Sequence, residues 1–273
     1  MAMPNNMIFV RHGQSEANVV HKSDKDGEAH ASLGAVNNRP DWRQRLSPAG
    51  IDQARIAGEW IKNNFGGLDL FEALYVSPFL RTRETAGYMS TGSNATWLVD
   101  DKIVERSWGI YGIVPKAEQR KKFPLTSKLR SASPWYVRLD GGESMPDVYS
   151  RFRDFQGAMH RDHDGQNVLA VSHGDFMNVV RYGVERMLPE EWEEMDADEA
   201  STIRNCTILW YTRVNPENPN DVRGRMHWRK MIYPDAVHES PDGGQWVELG
   251  ERRRYNSEDL IAQAQQSEPL LND

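Results

Sequence analysis

Short, unbroken apolar runs alternate along this chain with longer stretches of helical periodicity. Residues 7–10 (MIFV), 74–77 (LYVS) and 168–171 (VLAV) are too short and too continuous for helices, and predict buried strands. Residues 97–99 give a weaker strand signal. Residues 207–214 (TILWYTRV) give a longer one, rich in β-branched and aromatic side chains, and 225–233 predicts a final, more exposed strand. Between these runs, Ser47 and Pro48 open a helix over 47–65, with Ser as N-cap, Pro at the first helical position and Gly66-Gly67 as the stop. Ile51, Ala54, Ile56, Ala57, Trp60 and Ile61 give that helix its apolar stripe. Further helices are predicted over 80–89, 144–160, 176–187 and 190–198, the last with Pro189 at its start. This alternation predicts an α/β three-layer sandwich, a mainly parallel sheet with helices on both faces.

Two segments break the rhythm. Residues 19–45 are polar and loop-like, and loops of that length are more often lids or binding loops than connectors. Beyond Asn215 the chain becomes rich in Pro, Asn and Gly, and 239–273 holds few apolar residues. The expected organisation is one domain over 1–236 followed by a polar C-terminal tail or peripheral arm over 237–273. Composition narrows the function classes. Lys plus Arg number 33 against 40 Asp plus Glu, a net charge of −7 with no long basic stretch, which argues against a nucleic-acid binder. No apolar run approaches the roughly 20 residues of a membrane span. The N-terminus lacks the pattern of a secretory signal, and the single Cys206 has no internal disulfide partner. A soluble, cytoplasmic protein is the expectation.

The chemistry concentrates where strands end. The first strand runs into Arg11-His12-Gly13-Gln14-Ser15-Glu16-Ala17-Asn18, and a later one into Ser172-His173-Gly174-Asp175. Open α/β sheets bind ligands at the carboxyl ends of their strands, and glycine lets backbone approach a ligand closely. One histidine at a strand end is usually structural; two, each followed by glycine, point to a shared pocket. The strand at 74–77 ends in Ser77-Pro78-Phe79-Leu80-Arg81-Thr82-Arg83-Glu84-Thr85-Ala86, which brings Arg81 to the same edge. Its guanidinium fork matches phosphate oxygens and stays charged at any working pH. Arg83 reads as a solvated helix residue pairing with Glu84.

Arg-His-Gly, Ser-Pro-x-x-Arg-x-x-x-Thr-Ala, Glu-x-x-x-Gly, Gly-Gly-Glu-Ser and Ser-His-Gly occur in that order between Met7 and Val214. Together they resemble the histidine phosphatase superfamily, in its phosphoglycerate-mutase-like branch. The resemblance implies that His12 is the nucleophile that becomes phosphohistidine. It also implies a phosphate pocket of Arg11, Asn18, Arg81, His173 and Gly174, and Glu105 as proton donor to the leaving group. A nucleophilic imidazole must be neutral, and nearby Arg11 and Arg81 disfavour its protonated form. The same cations stabilise charge on the transferring group, and such a site needs neither metal nor cofactor.

Departures from the family pattern leave choices open. Asp175 competes with Glu105 as proton donor, because the phytase-like branch carries an Asp just after its second histidine; Glu105 stands ahead, since here Gly174 intervenes. Asp175 also reads as a helix N-terminal residue favoured by the macrodipole. Glu143 has a structural reading beside the cap Ser144. His21, close to Asn18, is a candidate for a supporting role. Trp108 stands where the mutases have Tyr, and Leu129-Arg130-Ser131 is all that remains of their Arg-Arg-Ser clamp. Trp42, Trp108, Trp135 and Tyr136, with Arg43, Arg45, Lys116, Lys121 and Lys122, are candidates for the entrance. The expectation is a phosphomonoester hydrolase acting on a small phosphorylated metabolite, its oligomeric state open. The alternatives are a cofactor-dependent phosphoglycerate mutase or bisphosphoglycerate phosphatase, and an inactive scaffold.

Overall fold

Four parallel strands carry the fold, and their carboxyl ends converge on one edge. A computed structural model describes residues 3–25, 30–114 and 116–268. Strand β1 (Asn6–Arg11) leads into α1 (Glu16–Lys25), α2 (Leu33–Asn38) and the long α3 (Pro48–Phe65). Then β2 (Ala73–Val76) precedes α4 (Leu80–Met89), and the short β3 (Leu98–Val99) precedes three small helices, α5 (Gly109–Ile113), α6 (Lys116–Lys122) and α7 (Pro124–Ala132). Helix α8 (Met145–Asp162), β4 (Asn167–Ser172), α9 (Gly174–Glu185) and α10 (Pro189–Ala197) complete the parallel part. Strand β5 (Ile208–Thr212), a hairpin of β6 (Val214–Asn215) and β7 (Asn218–Val222), β8 (Trp228–Ile232), β9 (Val247–Glu248) and α11 (Ser257–Ala264) follow.

The sheet order is β3-β2-β4-β1-β5-β8-β9. Strands β3, β2, β4 and β1 run parallel, while β5, β8 and β9 each pair antiparallel with the strand before them in that order. Alternating side chains feed two cores. Met7, Phe9, Val168, Ala170, Leu209 and Tyr211 face Val148, Phe152 and Phe155 of α8 and Phe176 and Val180 of α9. Ile8, Val10, Leu74, Leu169 and Val171 face Ala54, Ala57 and Ile61 of α3 and Ala86 and Met89 of α4. Helices therefore cover both faces, as the apolar runs implied. Each fully buried Leu, Ile or Phe contributes about 1.5–3 kcal/mol, so the two cores hold the strand ends in a fixed frame.

Ser47 caps α3 by accepting from the Gly50 amide at 3.1 Å, with Pro48 first in the helix and Gly66 left-handed at its end (φ 81°). Ser144 and Asp147 form a capping box on α8. Three expectations need correction. Residues 19–45 are not a loop: α1 and α2 lie there, with a 3-10 turn at Asp41–Arg43, while 26–29 fall outside the described residues. Ser15 starts α1 by accepting from the Asn18 amide, a short polar cap that periodicity alone does not reveal. The strand expected at 225–233 is buried rather than exposed, because Met231 faces one core, Ile232 faces the other, and β9 pairs with Trp228 and Arg229 on its outer side. By the same pairing the sheet runs past residue 236, and Ser240, Gly244 and Leu249 are buried. Of the expected tail, 251–268 are exposed, and 269–273 lie outside the described residues. Among the described residues no helix is long and apolar enough to cross a membrane.

Candidate active site

Each parallel strand delivers one part of the site. Arg11 closes β1 in register with Ser172 of β4, and Val76 of β2 is in register with Val171. The residues that follow emerge side by side. The His12 and His173 rings lie 5.3 Å apart at 62°, and the His12 amide donates to the Ser172 carbonyl at 3.0 Å. His12 is 2% exposed. Its Nδ1 lies 2.7 Å from the Gly13 carbonyl oxygen. A carbonyl can only accept, so Nδ1 carries the proton and the neutral ring keeps its lone pair on Nε2. Burial, then Arg81 and Arg11, hold the His12 imidazole well below its ordinary pKa. It is neutral at neutral pH, with a lone pair free on Nε2.

The loop after His12 is pinned by contacts that motif spacing hints at but does not explain. A Cβ on Gly13 would fall 2.3 Å from the Gly50 carbonyl oxygen, and one on Gly50 would fall 2.0 Å from that of Gln14. Only two glycines allow the start of α3 to approach this loop so closely. The Gly13 amide donates to Thr85 Oγ1 at 3.0 Å, which accounts for the Thr of Ser-Pro-x-x-Arg-x-x-x-Thr-Ala. Asn18 Oδ1 accepts from the Ser15 amide at 3.1 Å and from Asn205 Nδ2 at 3.3 Å, and Asn205 Nδ2 also donates to the His12 carbonyl at 3.0 Å. Asn205 lies 193 positions from His12 with no motif around it, so sequence spacing does not reveal it.

Two arginines supply positive charge. Arg11 is half-buried, with Nη1 donating to the Ile203 carbonyl at 2.6 Å and Nε buried without a partner. Gly174 fits beside that guanidinium, where a Cβ would lie 3.4 Å from Arg11 Nε. Arg81 is 4% exposed, yet its fork is occupied: Nη1 and Nη2 both bond the carboxylate of Asp41. Glu84 does not pair with Arg83 as expected; it takes Arg45 and the Leu46 amide instead. His173 is fully buried, its Nε2 2.8 Å from Ser77 Oγ and its Nδ1 without a partner. Burial and Arg81 lower its pKa too.

Glu105 reaches the same edge from the segment after β3. Its Oε1 accepts from the amides of Arg106 (2.9 Å), Asp175 (3.1 Å) and Phe176 (3.3 Å), which anchors it at the start of α9. Burial, reinforced by the Asp175 charge, pushes its pKa up to about 7. Burial raises Asp175 as well; it lies in the first turn of α9, as expected, with its Oδ2 buried without a partner. Glu143 holds the segment that carries Glu105. Its carboxylate takes Arg151 Nε at 2.8 Å and the Ser107 amide at 2.8 Å, and Arg151 Nη1 donates to the Lys102 and Val104 carbonyls. Gly142 packs there with room for no Cβ, which would meet the Ser107 carbonyl oxygen at 2.4 Å. That contact joins Glu-x-x-x-Gly to Gly-Gly-Glu-Ser.

The entrance candidates divide. Trp135 is buried against Tyr182 and Trp192, and is core. Trp42 and Tyr136 are exposed, Arg43 lies over Trp42, and Trp108 is flanked by Arg106 and Arg130. Lys121 and Lys122 are exposed on α6, and His21 is exposed on α1. The side chain of Lys116 lies outside the described residues. Cys206 is buried, as expected.

The sequence matches the histidine phosphatase superfamily (branch 1) over residues 7–208. The chain belongs to that superfamily. It is 28% identical over 167 residues to phosphoserine phosphatase 1 of Hydrogenobacter thermophilus, covering 61% of this chain and 70% of that protein. It is 25% identical over 215 residues to the phosphoglycerate mutase-like protein AT74 of Arabidopsis thaliana, covering 74% of this chain and 62% of AT74. Among solved structures, a putative α-ribazole-5′-P phosphatase from Escherichia coli superposes with a TM-score of 0.61 at 14% identity, covering 91% of this chain and 97% of the other. At that identity the likeness speaks to the fold, which is the histidine phosphatase α/β fold.

Proposed function

We propose that this histidine phosphatase is a metal-independent phosphoric monoester hydrolase that works through a phosphohistidine on His12. One observation carries the reading: a buried, neutral imidazole with Nε2 unprotonated, in the field of Arg81 and Arg11, with the buried Glu105 carboxyl, its pKa pushed up to about 7, in the field of the same two arginines. His12 Nε2 attacks phosphorus, a P–N bond forms and the P–O bond to the alcohol breaks. Glu105 gives its proton to the departing oxygen. The Glu105 carboxylate then takes a proton from water, whose oxygen attacks phosphorus, and inorganic phosphate leaves with the P–N electrons returned to Nε2. Arg11 and Arg81 offset charge on the equatorial oxygens throughout, the part a metal ion performs in other phosphoryl-transfer sites. Asp175 is not needed as a second acid; its negative charge raises the pKa of Glu105 and keeps that proton in place.

The relatives include both phosphatases and phosphoglycerate mutases by name. Hydrolysis is favoured here because the Arg-Arg pair of the mutase clamp is reduced to Arg130, an exposed side chain stacked on Trp108. A small phosphorylated metabolite is the substrate class, and the cytoplasm the compartment. The discriminating assay offers 3-phosphoglycerate, phosphoserine and an aryl phosphate with and without added bisphosphoglycerate. Free phosphate should appear without bisphosphoglycerate and at the same rate with chelator, while 2- and 3-phosphoglycerate should scarcely interconvert. Rapid bisphosphoglycerate-dependent interconversion with little free phosphate would overturn the hydrolase reading.

A further inference from the structure

Arg81 is the pocket's most deeply buried cation, and its partner is an unusual one. Nη1 donates to Asp41 Oδ1 at 2.9 Å and to the Asp41 carbonyl at 2.8 Å, and Nη2 donates to Asp41 Oδ2 at 3.1 Å. The carboxylate thus holds the guanidinium edge that matches two oxygens of a phosphoryl group. The partners differ in exposure: the Arg81 side chain is 5% exposed and that of Asp41 is 64%. Asp41 sits in the 3-10 turn Asp41–Arg43, and the chain around it is tied down independently. Gln44, itself buried, donates to the Val36 and Arg39 carbonyls, Arg39 pairs with Glu16, and Arg45 pairs with Glu84.

We propose that Asp41 is an internal competitor for Arg81, a carboxylate that occupies the phosphate-binding fork until a phosphoryl group displaces it. The inference rests on the reading of Arg81 as a phosphate ligand. Two anions cannot share one fork without repulsion, and the exposed one leaves more cheaply because water and salt already solvate it. The carboxylate leaves by a side-chain rotation alone, while the Asp41 carbonyl, held in the 3-10 turn, keeps its bond from Nη1. An open pocket of about 440 Å³ adjoins the contact, lined by Arg39, Pro40, Arg43, Arg45 and Leu80. Arg43 has no carboxylate partner among the described residues, so the released Asp41 finds positive charge nearby. Asp41 thereby sets the affinity for phosphate in substrate and product alike.

The opposite role, a carboxylate that orients Arg81 for phosphate, makes the reverse prediction, so one measurement decides. Inorganic phosphate is titrated calorimetrically into the full chain, its Asp41→Asn and Asp41→Ala variants, at fixed pH and ionic strength. Competition predicts phosphate binding tightened about threefold to tenfold in both variants, the scale of one partly exposed charge pair. Unchanged or weaker binding in the variants would overturn the competitor role. If neither wild type nor variants bound phosphate, the reading of this pocket as a phosphate site would fall as well, a result separate from the first. A circular-dichroism melt of each variant shows that the fold is kept.

Discussion

His12→Ala is expected to leave a folded protein whose phosphate release falls on the order of 10⁵-fold or more, the loss typical when a covalent nucleophile is removed. The size follows from how the site divides its work. In the proposed mechanism Arg11, Arg81 and Glu105 all act on a phosphoryl group in transit, and without Nε2 there is nothing to transfer it to. His173 cannot take over from its present position, because its Nε2 is engaged with Ser77 Oγ. The fold should survive, since the strand and helix cores that hold the loop do not pass through the imidazole. Steady-state assays beside circular dichroism check both halves; turnover kept within tenfold of wild type would remove His12 from the chemistry.

Glu105→Gln is the second large effect, and it has a pH signature. General acid catalysis is worth about 10² to 10⁴, so alkyl phosphates should slow by that factor while aryl phosphates with good leaving groups barely change. As the proposed acid Glu105 works in its protonated form, and its pKa is pushed up to about 7. Wild-type kcat/KM should therefore decline as pH rises through about 7, and that limb should vanish in the glutamine variant. Running both enzymes on one substrate cancels the substrate's own ionisation. His12 adds no limb nearby, since its pKa lies well below the ordinary histidine value. Stability moves with the same group. The native state binds the Glu105 proton more tightly than the unfolded chain, so its contribution is complete below the ordinary glutamate pKa and is lost as pH rises through about 7. Glutamine carries no such dependence, and the gap in Tm between variant and wild type should widen in the variant's favour from pH 5 to pH 8. An alkaline limb that survives Glu105→Gln and disappears in Asp175→Asn would transfer the acid role to Asp175.

The strands and most of the candidate site were legible in the sequence because burial on both faces writes an unbroken apolar run, and the candidate residues follow such runs directly. His12, Arg81 and His173 needed only the rule that ligands gather at carboxyl strand ends. What escaped is held by contacts between distant segments. Asn205 reaches His12 across 193 positions, and Gly50 is required by Gln14 rather than by its own helix. Asp41 lies in polar sequence that reads as loop, because α1 and α2 are short: α1 starts on the Ser15 cap and α2 buries only Val36, so neither writes a long apolar stripe. The strand β9 was hidden for a similar reason: two residues pair with β8 at an edge, too few to show a period.

The phosphoenzyme itself offers the most direct test. Wild-type protein is mixed with a phosphorus-labelled aryl phosphate, quenched within milliseconds in alkali, digested and sequenced by mass spectrometry. The label is expected on His12 alone, stable to base and lost in acid, and formed and discharged as fast as turnover. Label on His173, on Ser15 or on no residue while turnover proceeds would contradict covalent transfer through His12.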